Sequence, residues 1–325
     1  MRQKCLKRLK HNKIYSYATS YALMKGKHSR TLQMPTIQTL KPGDEEALEA
    51  FLVKHASTSM FLRSNSRAVG LLDKGERFQG TYVAAIEDEK IVAVAAHYWN
   101  GMVIPQAPVY LKEVVQAAVA QSGRMISGIT GPGNQVEAAT DILGLREKQI
   151  SLDGREILFS LTLCDLKVPD ALTTGEVMCR LPLPAELELL GNWCAAYTVE
   201  TLGQAETPKL QHECHQTVEN RQLDKVHFCL VKEQQPLAYC TFNAQLPDIV
   251  QIGGVWTPHN LRGNGYAKCV VAGALLQARS VGVKRAILFT QKNNTAAQSV
   301  YKAIGFEPTG EEYGLLLLQD AVAGR

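Results

Sequence analysis

The stretch Gly254-Val255-Trp256-Thr257-Pro258-His259-Asn260-Leu261-Arg262-Gly263-Asn264-Gly265-Tyr266-Ala267 decides the fold. A strand-like run, Val250–Trp256, ends in a proline-containing turn. Arg262-x-x-Gly265-x-Ala267 then opens a helix whose inner face is Val270, Val271, Ala274, Leu275 and Ala278. Gly263 and Gly265 let the backbone come close to a ligand, and the amides at the helix start point into the positive end of the dipole. Such an arrangement binds phosphate. Residue type excludes two other phosphate loops. No Gly-Lys-Ser/Thr ending supplies a phosphate lysine, and there is no Gly-x-Gly-x-x-Gly with a ribose-binding acid about 20 residues on.

Working outward, the strand Arg285–Thr290 leads into Asn293-Asn294-Thr295-Ala296-Ala297-Gln298-Ser299-Val300-Tyr301-Lys302-Ala303-Ile304-Gly305-Phe306. Asn294 is placed to cap a helix, Ala297 leaves room for a ligand, and Tyr301 lies two turns along the same face before Gly305 ends the helix. Together, Arg262-x-x-Gly265-x-Ala267 and Asn294-x-x-Ala297-x-x-x-Tyr301-x-x-x-Gly305-Phe306 resemble the signatures of the GCN5-related N-acetyltransferase (GNAT) superfamily over Val250–Phe306. The resemblance implies an α/β chain with a mixed central sheet flanked by helices, and acetyl-CoA as co-substrate. It implies that the loop Arg262, Gly263, Asn264, Gly265, Tyr266 and Ala267 holds the pyrophosphate, and that the backbone of Val255, Trp256 and Thr257 pairs with the pantetheine arm. Asn294 and Ala297 would face the coenzyme, and Tyr301 would be the general acid.

The order of elements begins twice. Asp44–Lys54 and 64–72 read as helices, Thr81–Glu87 and Ile91–Trp99 as a hairpin, then Met102–Ala107, a helix Val109–Ala120, a strand Met125–Thr130, a helix Gln135–Leu143 and a strand Ile157–Leu163. After a connector with Pro169 and Gly175, the same order returns: Val177–Arg180, helices Leu187–Leu202 and Leu210–Glu219, a hairpin Val226–Lys232 and Leu237–Asn243, and the unit already described, closing with Tyr313–Leu318. This predicts two tandem GNAT-like domains, 34–168 and 169–325. The first has no Arg-x-x-Gly before its helix at Val109 and reads as a degenerate, non-catalytic copy. Its segment Ser59-Met60-Phe61-Leu62-Arg63-Ser64-Asn65 is either helix-entry core or a substrate wall.

Charge divides the chain differently. Residues 1–33 hold nine Lys/Arg and no Asp or Glu, so the overall +4 splits into a basic leading segment and a body at −5. The segment reads as a disordered arm, sequence upstream of a start at Met34, or, as the lesser alternative, an organellar transit peptide. The body carries no nucleic-acid footprint, and no apolar run approaches the ~18 residues of a membrane span. Eight cysteines without CxxC pairing fit free thiols in a reducing, cytoplasmic setting. His212-Glu213-Cys214-His215 lacks a second half-site, so no metal is expected.

Acetyl transfer to an amine needs a held thioester, a neutral nucleophile and a proton for the leaving thiolate. A phenol at pKa ~10 gives its proton to a thiolate at ~8.5 for only about 2 kcal/mol. For the base, Glu200 on the Leu187–Leu202 helix is the first candidate, with His259 and Asp248 behind it. The expected partner is an amine acceptor, a small molecule or peptide. The alternative is an acyl-CoA-binding module without turnover, and oligomeric state is left open by the sequence.

Overall fold

The computed structural model describes residues 34–324 of the 325. The basic segment 1–33, and with it the readings of a transit peptide, a disordered arm or a late start, lies outside the described residues.

The first half runs β1 (Thr36–Thr39), α1 (Glu45–Leu52), α2 (Met60–Val69), β2 (Gly80–Glu87), β3 (Lys90–Tyr98), β4 (Met102–Gln106), α3 (Leu111–Ser122), β5 (Met125–Pro132), α4 (Gly133–Ile142) and β6 (Ile150–Thr162). A one-turn helix, α5 (Asp170–Thr173), leads to the second: β7 (Met178–Arg180), α6 (Leu187–Leu202), α7 (Pro208–Asp224), β8 (His227–Lys232), β9 (Gln235–Gln245), β10 (Ile249–Trp256), α8 (Tyr266–Ser280), β11 (Arg285–Gln291), α9 (Thr295–Ala303) and β12 (Glu307–Ala323).

The two halves repeat in backbone detail as well as in order. The β2–β3 turn places Asp88 and Glu89 at φ 45° and 61°, and the β8–β9 turn places Glu233 and Gln234 at 48° and 69°. Two successive positive φ values are what a tight hairpin of right-twisted strands requires. The residue before the helix is left-handed in both copies, Tyr110 at φ 53° before α3 and Gly265 at 77° before α8.

Among the described residues all twelve strands form one mixed sheet, in the order β1-β2-β3-β4-β5-β12-β6-β11-β10-β9-β8-β7. The halves therefore exchange their last strands. The first half's β6 pairs with β11 of the second, and the C-terminal β12 pairs with β5 of the first. The two exchanged strands also pair with each other. Both are longer than their apolar centres predict. Their polar stretches are held by pairing on one side, Asp153, Gly154 and Arg155 with β12 and Glu307, Pro308 and Glu312 with β6, while Glu156 is flanked on both.

Helices cover both faces. On one, α8 and α9 pack over Phe159, Leu161, Ala286 and Leu288, with Val270, Val271 and Leu275 buried. On the other, α6 and α7 cover Cys229, Val231 and Tyr239, and α2 of the first half sets Met60 and Phe61 against Leu158, Ile287 and Phe289. The Ser59–Asn65 segment thus packs as core: Met60 and Leu62 are buried, and Ser59 Oγ donates to the Leu52 and His55 carbonyls.

Candidate active site

A break in the sheet makes the site. Strands β10 and β11 pair in parallel only from Ile249↔Arg285 to Ile252↔Leu288, although β10 runs on to Trp256 and β11 to Gln291. Beyond that point they part, and a bulge between Gly253 and Trp256 bends β10 away. The result is a cleft of about 610 Å³. Its walls include Gly253–Thr257 from β10, the loop from Leu261 to Lys268, Phe289–Gln291 from β11, and Asn294, Ala297 and Tyr301 around α9. The cleft also takes Tyr197 and Glu200 from α6 and, from the exchanged β6, Glu156.

Nine residues, 257–265, join β10 to α8. Among the described residues the amides of Gly263, Gly265, Tyr266, Ala267 and Lys268 find no acceptor, and no side chain caps the helix. Gly263 and Gly265 sit at φ 83° and 77°, and a methyl on Gly265 would lie 2.9 Å from the Lys268 side chain. Asn264 stiffens the loop from outside by donating to the Leu261 and Arg262 carbonyls. Asn294 Oδ1 accepts from the Ala297 amide at 3.0 Å, capping α9. Inside the cleft wall, Thr257 Oγ1 and Trp256 Nε1 are buried without a partner among the described residues. Orphan amides at a helix start, an open strand edge and an unpartnered hydroxyl together fit an extended ligand ending in phosphates. Gly265→Val is therefore expected to weaken acetyl-CoA binding by about tenfold or more, since a left-handed residue with a Cβ costs roughly 1–2 kcal/mol; calorimetric titration reads it.

In the first half the corresponding loop is shorter and partly tied down. Only four residues, 107–110, join β4 to α3. The Ala107 amide is taken by Gln135 Oε1 at 2.7 Å, and a methyl on Gly131 would stand 3.0 Å from the Pro105 carbonyl oxygen. β4 and β5 also pair over only two residues, Met102↔Gly128 and Val103↔Ile129, but the loop that follows has no glycine to bring its backbone close to a ligand.

Tyr301 is buried between Phe159 and Phe306 with its ring on the α8 face of the sheet. Burial pushes its phenol well above the usual range, so it stays protonated at any working pH.

The two carboxylates and the imidazole expected as bases fare differently. Glu200 grips Arg262 with both oxygens, at 2.9 and 3.0 Å, and accepts from His259 at 3.0 Å. The Arg262 hydrogen bonds hold its carboxyl below the ordinary range, which makes it a poor proton acceptor. Its effect is to position the loop: Arg262 also donates to the Thr257 carbonyl and lies over the Trp256 ring, 4.8 Å from its centroid. His259 is committed to the same pair and exposed. Asp248 stands at the far end of β10, where its carbonyl accepts from Lys284 and Arg285. Glu200→Gln is expected to leave turnover and coenzyme affinity within about fivefold of wild type, the scale of an exposed ion pair; steady-state thiol release measures both.

Sequence reading missed Glu156. It faces Gln291 and Tyr313 across its two ladders, at the level where the cleft opens. Desolvation raises its carboxyl to about 7, and among the described residues no cation pairs with it. The signal was a single acid between Arg155 and Ile157, just ahead of the strand expected at Ile157–Leu163 and far in sequence from both motifs, and nothing local distinguishes it from a solvated residue.

Residues 192–306 match the model of the acetyltransferase (GNAT) family. The second half of the chain carries a GNAT domain. The structural likeness extends across both halves. A Drosophila protein known from an X-ray structure shares 11% identity and covers 87% of this chain and 99% of its own, with a TM-score of 0.62. A tandem GNAT protein from the clavulanic acid biosynthesis pathway gives 11% identity, 87% and 97% coverage and 0.54. A GCN5-related N-acetyltransferase from Sphaerobacter thermophilus gives 12%, 87% and 94%, and 0.53. At these identities the likeness is one of fold, and the chain has the tandem GNAT fold. No curated protein sequence matches it. Among the described residues no cluster of three or more His, Cys, Asp or Glu is arranged for a metal, and no helix is long and apolar enough to cross a membrane. His215 of the His212–His215 run turns to Asn192, while Cys214 is buried beside Thr198.

Proposed function

We propose that the chain is an acetyl-CoA-dependent N-acetyltransferase that moves the acetyl group directly to a primary amine of a small molecule or peptide. The observation that carries this reading is the single cleft in which the split of β10 from β11, the orphan amides of 263–268 and the phenol of Tyr301 converge. Acetyl-CoA supplies an activated thioester. The loop amides of Gly263 to Lys268 hold its phosphates, the β10 edge from Val255 to Thr257 aligns the arm, and Asn294 and Ala297 bound the other wall. A free amide on the β10 edge polarises the thioester carbonyl, and Tyr301 donates its proton to the departing sulfur. Residues 34–168 and 169–325 are the two copies, the second catalytic, and free cysteines fit a cytoplasmic enzyme.

The test is to mix the purified full chain with acetyl-CoA and a panel of primary amines, following free thiol and acetylated product. Amine-dependent thiol release is the expected result. Tight coenzyme binding without any release leaves a binding module instead.

A further inference from the structure

We infer that Glu156, on the strand that the first half lends to the second half's sheet, is a catalytic residue of the cleft: its carboxylate takes the proton from the acceptor's ammonium group. The inference rests on the acetyltransferase reading and deepens it, because the copy without a coenzyme loop then supplies the base for the copy that has one.

The sheet itself separates the two proton-handling groups. Glu156 shares its face with its register partner Gln291 and with Leu158 and Phe289, the face on which α2 and α6 pack. Tyr301 belongs to the opposite face with Phe159 and α8. A thioester seated in the split between β10 and β11 therefore has a proton donor on one side and a carboxylate on the other. An acceptor entering from the carboxylate side meets Tyr197, Phe289 and the Glu156 carboxyl, the other lining acid, Glu200, being held by Arg262. The titratable groups about Glu156 are the phenols of Tyr197 on α6 and Tyr313 on β12 and, across the sheet, of Tyr301 on α9, all raised by burial and neutral at pH 7. The charges next to Glu156 and its register partners, Arg155, Lys292 and Glu312, are paired with one another. The carboxyl raised to about 7 by desolvation thus has its ionisation unshared, and it suits proton exchange with an alkylammonium near neutrality.

The protons balance. An N–H bond of the ammonium breaks and an O–H bond forms on Glu156. The freed lone pair makes the N–C bond as the C–S bond breaks, and the sulfur takes the proton of Tyr301. The second proton shed by the nitrogen restores Tyr301, and Glu156 returns its own to water.

The experiment uses the full chain, acetyl-CoA and two probes: 2-phenylethylamine, a cation at neutral pH, and methoxyamine, which is already neutral. Thiol release is followed across the neutral range. Glu156→Gln is expected to lose about 100-fold with the alkylamine, to lose the wild-type rise in rate near pH 7, and to hold its methoxyamine rate and coenzyme affinity within about threefold. Glu156→Asp, which keeps the carboxylate, restores part of the alkylamine rate. A Gln variant equal to wild type with both probes overturns the assignment. A wild type that releases no thiol with either probe instead removes the transferase reading for these amines, and the carboxyl is then read directly by infrared titration of wild type minus Gln variant. A midpoint near 7 supports a carboxylate set for proton exchange, and one in the ordinary carboxylate range overturns it.

Discussion

Replacing Tyr301 with phenylalanine is expected to lower turnover by about 10²–10³-fold while coenzyme affinity stays within about twofold. The cause is confined to one oxygen. The ring is buried among Phe159, Phe306 and the α8 side chains, and phenylalanine fills the same space. Among the described residues no hydrogen bond holds the hydroxyl, so its removal orphans nothing and costs the fold little. In the proposed mechanism what it removes is the proton for the departing thiolate. The burial that keeps the phenol protonated also makes its anion costly, so the proposed mechanism requires Tyr301 to donate only as a proton returns to it from the acceptor nitrogen. The variant should therefore keep the pH dependence near 7, which belongs to a different group, and show its loss at every pH. Steady-state kinetics with calorimetric coenzyme binding separate the two effects, and unchanged turnover removes Tyr301 as the acid.

The elements that sequence made legible are those whose chemistry is local. Gly263 and Gly265 need positive φ, Asn294 caps the turn that follows it, and α8 shows its apolar face at helical spacing; each of these is read within a few residues. Glu200 shows the limit of such reading. It lies on the right helix and lines the cleft, yet its partner Arg262 comes from a loop far along the chain, and that pairing decides its proton affinity. Glu156 is the converse case: an unremarkable acid in sequence becomes a desolvated carboxyl only because β6 crosses into the other half's sheet. The exchange is invisible to periodicity, because β6 and β12 follow the same kind of helix in each copy and either could close either sheet.

That exchange yields the second large effect. A chain ending at Phe306, without β12, is expected not to fold cooperatively, even though every element of the first copy is still present in it. β12 lies between β5 and β6 and contributes Tyr313, Leu316 and Leu318 to the buried interior. At roughly 1.5–3 kcal/mol for each large side chain, these three alone represent about 5–9 kcal/mol. A whole domain is stable by only about 5–15 kcal/mol, and β5 and β6 would in addition lose their ladder partners. Moving β6 back to close on β5 would strip β11 of its partner along Arg285–Gln291, so one copy can be completed only by opening the other. Denaturant unfolding followed by circular dichroism, with soluble yield, tests this. A truncated chain that stays soluble and unfolds in a single sharp transition would mean that β6 satisfies β5 by itself and that the halves are separable. The full chain with Leu316→Ala is the control. It removes one of the three side chains, should cost about 2–5 kcal/mol, and should still unfold cooperatively.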